Sequence, residues 1–278
     1  TSELEQGRTE RTRRRIELTA AAAPAIGRPS YKERSLATKL DFRPADPAIA
    51  YPFVACVHWP RSGHHLLVRL LGTILGDRFG YCSYYGHNQD KRCCGKFPCT
   101  LPGVSFAKQH DIGFNCAVPQ NGEPLLVQYR RFDEALLSSF EVRLSQGMLA
   151  DTEEDFRTLA LERARTYRRF LQKWIVRDIP NRHILRYDEL IERPHETLTA
   201  VLALFGADDH ADRIDAAVES ADHVTRKGGS RVIQRDRGVV NESNVRSFRY
   251  YDEAFFAELD RLSTTPASRK AMAAARVR

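Results

Sequence analysis

Four short stretches of the chain hold the residue types that bind anions and move protons. The first is Pro60-Arg61-Ser62-Gly63, set between an apolar run and a leucine-rich helical pattern. A tight loop there turns free backbone N–H groups toward whatever lies in front of the helix, and the helix dipole favours an anion. Gly63 allows close approach, Arg61 adds a planar cationic fork and Ser62 a hydroxyl. The second is Lys108-Gln109-His110, a cation two residues before an imidazole. The third is Tyr129-Arg130 at the end of an apolar run, and the fourth is the basic stretch that contains Arg226-Lys227-Gly228. Taken alone, the first stretch also fits a plain strand-to-helix turn. It is not a nucleoside-triphosphatase loop, which needs a second glycine followed by Lys and Ser or Thr.

These stretches need a scaffold, and the apolar pattern supplies one. Phe53–Val57 is continuously apolar, as in a strand covered on both faces. Leu66, Leu67, Leu70, Leu71, Ile74 and Leu75 recur at helical spacing over 64–75. Further strands are expected at 104–107, 125–129 and 183–187, and helices at 133–145, 153–176, 194–205, 212–219 and 251–262. The stretch 223–248 reads as a long basic loop. Strands alternating with helices predict an α/β fold with a central parallel sheet flanked by helices. Ligands of such sheets bind beyond the C-terminal strand ends, where the four stretches fall.

The 278 residues divide into an arm at 1–48, basic, alanine-rich and broken by prolines, and a single domain at 49–278. Lys and Arg number 43 against 36 Asp and Glu, a balance that suits an anionic partner without naming one. No run approaches the roughly 18–20 apolar residues of a bilayer span. A cytoplasmic protein is expected, with an anchored or secretory-pathway form as the alternative should a segment precede Thr1.

Read together, the stretches resemble the PAPS-dependent sulfotransferases; PAPS is 3′-phosphoadenosine 5′-phosphosulfate. His58-Trp59-Pro60-Arg61-Ser62-Gly63-His64-His65-Leu66 resembles that family's phosphosulfate loop. Lys108-Gln109-His110 resembles its K-T-H segment, and Tyr129-Arg130 through Ser138 its 3′-phosphate motif. Arg226-Lys227-Gly228 resembles its R-K-G loop, and Tyr187-Asp188-Glu189-Leu190 with Pro194 its Y-E-D-L…P segment. No single motif is strong; their order and spacing over 51–262 carry the resemblance. It implies a strand–loop–helix phosphosulfate site in the α/β fold. It also implies cofactor contacts from Arg61, Ser62, Gly63, His64, His65, Arg130, Ser138, Tyr187, Arg226, Lys227 and Gly228, with His110, Arg61 and Lys108 catalytic. PAPS would be the co-substrate and PAP, 3′-phosphoadenosine 5′-phosphate, the product. The scheme requires no metal.

The chain departs from the pattern in places. His64-His65 replaces a Thr pair, and Leu66 replaces an adenine-stacking Trp. Arg61, where a Lys is common, points toward a carbohydrate acceptor; a small phenol or alcohol is second. Cys82, Cys93, Cys94 and Cys99 cluster, leaving a disulfide, a zinc knot or free thiols open. A nucleotide-dependent kinase and a non-catalytic polyanion binder are the competing classes. Nucleic acid is not expected as a partner, no recognition signature being present; membrane association and oligomeric state stay open.

Overall fold

The fold comes from a computed structural model that describes residues 42–83, 95–119, 122–220, 224–227, 230–233 and 245–275. Its centre is strand β2, Val54–His58, every residue of which is buried. Around it the sheet runs in the order β1 (Phe42–Arg43), β3 (Tyr81–Cys82), β4 (Phe106–Gln109), β2, β5 (Leu125–Tyr129), β6 (Arg182–Arg186). All neighbours are parallel except the edge pair β1–β3. The expected parallel sheet is present, with an antiparallel edge that two-residue strands are too short to announce in sequence.

Alternation along the strands sends side chains to two cores. Ala55, Val57, Leu125 and Val127 face helices α2 (Phe132–Ser145), α3 (Glu153–Leu171) and α7 (Glu253–Ser263), packed around Phe140, Phe156, Tyr167 and Trp174. Val54, Cys56 and Leu126 face α1 (His64–Leu75), α4 (Tyr187–Glu192), α5 (Pro194–Ala203) and α6 (Ile214–Ser220). Each fully buried Leu or Ile contributes about 1.5–3 kcal/mol, so β2 and its apolar partners hold the sheet's centre rigid.

Several boundaries differ from the sequence expectation. Residues 42–48 belong with the sheet, since β1 pairs with β3 and the Ala45 amide bonds the Gly103 carbonyl at 2.8 Å. Residues 1–41, most of the expected arm, lie outside the described residues. Strand β4 lies two residues later than expected, which puts Lys108 inside it and His110 just past its end. Helix α3 ends in a π turn, Gln172–Val176. The expected basic loop contains a hairpin, β7 (Val224–Lys227) with β8 (Ser230–Ile233). Its β-branched residues Val224, Thr225, Val232 and Ile233 favour strands, but the Lys and Arg between them obscure that signal. A last helix, α8 (Pro266–Ala274), starts at a capping box of Thr265 with Ser268. Among the described residues no helix is long and apolar enough to cross a membrane.

Candidate active site

The sheet reverses its winding direction at β2, with β4 on one side and β5 on the other. Parallel sheets place ligands at such a point, beyond the C-terminal strand ends. The segments after β2, β4, β5 and β6 begin at Trp59, His110, Arg130 and Tyr187, so the topology brings the expected site segments to one edge.

The loop after β2 is held from within. The Trp59 amide donates to the Gln128 carbonyl at 2.9 Å, and the Ser62 amide to the Trp59 carbonyl at 3.3 Å. The Ser62 hydroxyl also donates to the Trp59 carbonyl, and the Gln128 side-chain amide donates to the Ser62 carbonyl at 2.8 Å. Ser62 is fully buried, so its hydroxyl shapes the loop instead of facing outward, unlike the expected cofactor contact. Arg61 and Gly63 take the left-handed conformation, at φ 68° and 81°. Arg61 does so without being glycine, a local cost that the bonds around it must offset.

Gly63 is required sterically. A Cβ there would lie 2.4 Å from ring carbons of Tyr187, which starts α4. The Tyr187 ring therefore packs directly on the loop. The Arg130 guanidinium lies over the same ring, 4.4 Å from its centre. Arg130 is buried; its Nε donates to Glu134 Oε2 at 2.8 Å and its Nη1 to the Arg61 carbonyl at 3.4 Å. Arg61 Nε in turn donates to the Ser138 hydroxyl at 3.1 Å. Arg61, Gly63, Arg130, Ser138 and Tyr187 thus form one connected group.

A second group lies at the base of the loop. His58, His64 and Lys108 are buried, and His110 is half-buried. The His58 ring stacks on His64, centres 4.1 Å apart, and meets the His110 ring at 4.2 Å. The His110 Nδ1 faces the His58 carbonyl at 3.1 Å. A carbonyl only accepts, so Nδ1 carries the proton and the neutral ring's lone pair sits on Nε2. Burial, then Lys108, hold the His110 imidazole at a pKa of about 4, with His65 and Arg163 adding to the effect. The ring is neutral at pH 7, and the burial and the cation that keep it so also oppose the imidazolium that proton uptake would form.

The His64 side chain departs from the expected cofactor contact. Its Nε2 meets the Tyr81 hydroxyl at 3.1 Å and its Nδ1 the Cys56 sulfur at 3.6 Å, inside the core. Burial and Lys108 keep it neutral, well below the usual imidazole range. His65 is exposed on the first turn of α1. Arg226 and Lys227 lie on β7, while Gly228 lies outside the described residues. Of the other basic residues there, Arg249 is bound to Glu141 at 2.9 Å and Asp151 at 2.6 Å. Arg246 lines a cleft of about 410 Å³ at the ends of β5 and β6, which Arg130, Arg186, Tyr167 and Tyr251 also wall.

Some contributors had no visible role in the sequence. Glu134 lies four residues after Arg130, the helical pairing distance, and that spacing was a usable signal. His58 acts through its carbonyl and Tyr167 through a 2.8 Å bond to the Arg130 carbonyl; neither leaves a sequence trace. Cys82 and Cys99 are buried with Val104 and Ala107, whereas Cys93 and Cys94 lie outside the described residues. Among the described residues no group of three or more His, Cys, Asp and Glu is placed to hold a metal ion.

No family model and no curated protein matches the chain. Solved structures do. Retinol dehydratase in complex with androsterone and inactive cofactor PAP aligns at 14% identity, over 78% of this chain and 81% of that one, with a TM-score of 0.53. Its complex with retinol and PAP aligns at 13% identity over 78% and 82%, with a TM-score of 0.51. The fold is the one these retinol dehydratase structures share. Mouse sulfotransferase SULT7A1 complexed with PAP is similar to 81% of this chain over 89% of its own, at 13% identity and a TM-score of 0.49. On this fold, the two groups described above occupy the ends of β2, β4, β5 and β6.

Proposed function

We propose that the protein transfers a sulfuryl group from PAPS to an acceptor hydroxyl, with an amine as the lesser alternative, and releases PAP. The observation that carries the reading is the connected group at the loop. Two stretches expected to bind separate phosphates, Arg61–Gly63 and Arg130–Ser138, meet through the Arg61–Ser138 and Arg130–Arg61 hydrogen bonds. A donor charged at two ends needs such neighbouring cations. Arg61, the amides opening α1, Arg130 and Ser138 are the residues that would hold it, with Tyr187 beside them; Arg226, Lys227 and Gly228 are proposed as further contacts.

PAPS, when bound, supplies an electrophilic sulfur and a phosphate leaving group. His110 takes the acceptor's proton at Nε2 as the acceptor oxygen bonds to sulfur and the bond from sulfur to the 5′-phosphate oxygen breaks. Arg61 and the loop amides face charge that grows on the leaving oxygen, where fixed donors are most effective. Lys108, buried beside His110, supplies further positive potential. Cations around His110 suit an acceptor carrying its own negative charge, which supports a carbohydrate or glycoconjugate. The retinol and androsterone complexes of the structural neighbours favour a small alcohol as the second reading.

Radiolabelled PAPS incubated with charged glycans and with small alcohols, in the presence of a magnesium chelator, tests the reading. Label transferred to one acceptor class, and lost with His110→Ala, is the expected result. No transfer from PAPS, together with phosphoryl transfer from ATP in a parallel assay that contains magnesium and no chelator, would overturn it in favour of a kinase.

A further inference from the structure

His110 is followed at once by a residue in an unfavourable conformation. Asp111 has φ 49°, a region costly for a residue other than glycine, and it is buried. Something must hold it there. Its Oδ1 accepts from the Cys116 amide at 2.8 Å. Its Oδ2 accepts from Lys173 Nζ at 2.6 Å and from Trp174 Nε1 at 3.0 Å. The Lys173 ammonium also donates to the carbonyls of Cys116 at 2.7 Å and Phe114 at 3.1 Å. Its three N–H donors therefore match three acceptors, all in the turn that follows His110.

Lys173 and Trp174 sit in the π turn that ends α3, and one extra residue per turn is a feature that recurs at functional sites. The turn delivers two consecutive side chains to a single carboxylate oxygen. Arg169, one turn earlier, lies over the Phe114 ring at 4.1 Å and covers the same loop. Both Asp111 oxygens are committed to these partners, so the carboxylate is not a second base.

We infer that Lys173, acting through Asp111, is a positioning residue for His110. The inference rests on the reading of His110 as the general base. The ion pair holds Asp111 in its left-handed conformation. That fixes the backbone on which the imidazole is mounted and aligns Nδ1 with the His58 carbonyl 3.1 Å away. Without it the Asp111 backbone relaxes to an ordinary φ, the ring turns and the proton leaves Nδ1. Misplacement of a reacting group by about 1 Å costs on the order of a hundredfold in rate.

The test compares Lys173→Met, Lys173→Arg and Asp111→Asn in the full chain. Asn removes the charge and replaces one acceptor oxygen with an NH2 donor, which cannot accept from Cys116, Lys173 or Trp174, so the bonds that hold the turn are broken. Three readouts are taken: PAP affinity by calorimetry, the His110 ring tautomer by nitrogen-15 NMR, and kcat and KM for the acceptor. Lys173→Met and Asp111→Asn are expected to bind PAP within about threefold of wild type, to lose the Nδ1–H tautomer, and to lower kcat about a hundredfold at nearly constant KM. Lys173→Arg keeps the cation and retains the tautomer. An unchanged tautomer and kcat in a Lys173→Met or Asp111→Asn protein that binds PAP normally would overturn the inference. Should the wild type transfer no sulfuryl group, the tautomer change still tests the positioning role, and only the functional reading fails. Asp111→Asn serves on its own if Lys173→Met does not fold.

Discussion

Arg61 Nε donates to the Ser138 hydroxyl at 3.1 Å, across 77 positions of sequence. The bond joins the loop after β2 to the second turn of α2. It places a strained, exposed cation beside a buried hydroxyl. Loss of either partner should weaken an anionic nucleotide more than it weakens the fold. A charge-assisted hydrogen bond contributes about 1.5–3 kcal/mol. Arg61→Ala is expected to reduce PAP affinity about 10–100-fold by calorimetry, and Arg61→Lys to recover only part of it, since Lys lacks the planar fork.

Arg130 needs a more careful design, because its removal strands a buried carboxylate. The side chains of Arg130 and Glu134 are 4% and 8% exposed. Breaking such a pair from one side costs about 3–5 kcal/mol. Arg130→Ala should therefore lose stability in urea as well as PAP affinity. The double variant Arg130→Met, Glu134→Leu should regain most of the stability and still bind PAP weakly. Restored affinity in that double variant would remove Arg130 from the nucleotide site.

Gly63→Ala should be damaging for two separable reasons. The φ of 81° disfavours any side chain, and the new Cβ would collide with Tyr187 at 2.4 Å. The expected cost is at least about 1–3 kcal/mol, seen as a lower melting temperature. In a Tyr187→Ala background the same change should cost less, because the collision is gone and only the backbone strain remains. Equal costs in both backgrounds would show that the ring does not rest on the loop.

The loop and its helix were legible in the sequence, and the reasons are physical. Phe53–Val57 and the leucines of 64–75 give period signals strong enough to fix a strand and a helix. Arg130 and Ser138 are picked out as a pair only by the resemblance, since neither belongs to a periodic pattern. What lay hidden were interactions of backbone and of reversed expectation. Ser62 and His64 have the right chemistry for a phosphate, yet their side chains turn inward, to the Trp59 carbonyl and to Tyr81. Asp111, an acid with no periodic pattern around it, is buried under Lys173 and Trp174. Residue type carries no direction, and direction came from strand parity and from one π turn.

The pH response follows from the imidazoles. His110 has its pKa lowered to about 4 from 6.5 by burial and Lys108, and those of His58 and His64 are lowered well below 6.5, burial being the main cause. A folded value below the unfolded one means that the contribution to stability is intact above about pH 6.5. It is lost as the pH falls toward 4, because the unfolded chain takes up protons first. Urea midpoints should fall steadily from pH 6.5 to 4.5, and His110→Ala should flatten part of that slope. The acid limb of kcat/KM should lie well below pH 6.5 wherever the protein stays folded; a limb centred at 6.5 would mean that the base is a solvated imidazole.

His110→Ala should lower turnover by about 10²–10⁴-fold if that ring is the base, with PAP affinity retained. Unchanged turnover in a folded variant would end the assignment.

The central claim is that the joined cations at the ends of β2 and β5 bind a nucleotide charged at both its 3′ and 5′ positions. Calorimetric titration of the wild-type chain with PAP and, separately, with ADP, both without magnesium, tests it most directly. The account predicts one PAP per chain and markedly weaker ADP, which lacks the 3′-phosphate. Absence of PAP binding, or equal affinity for the two nucleotides, would contradict it.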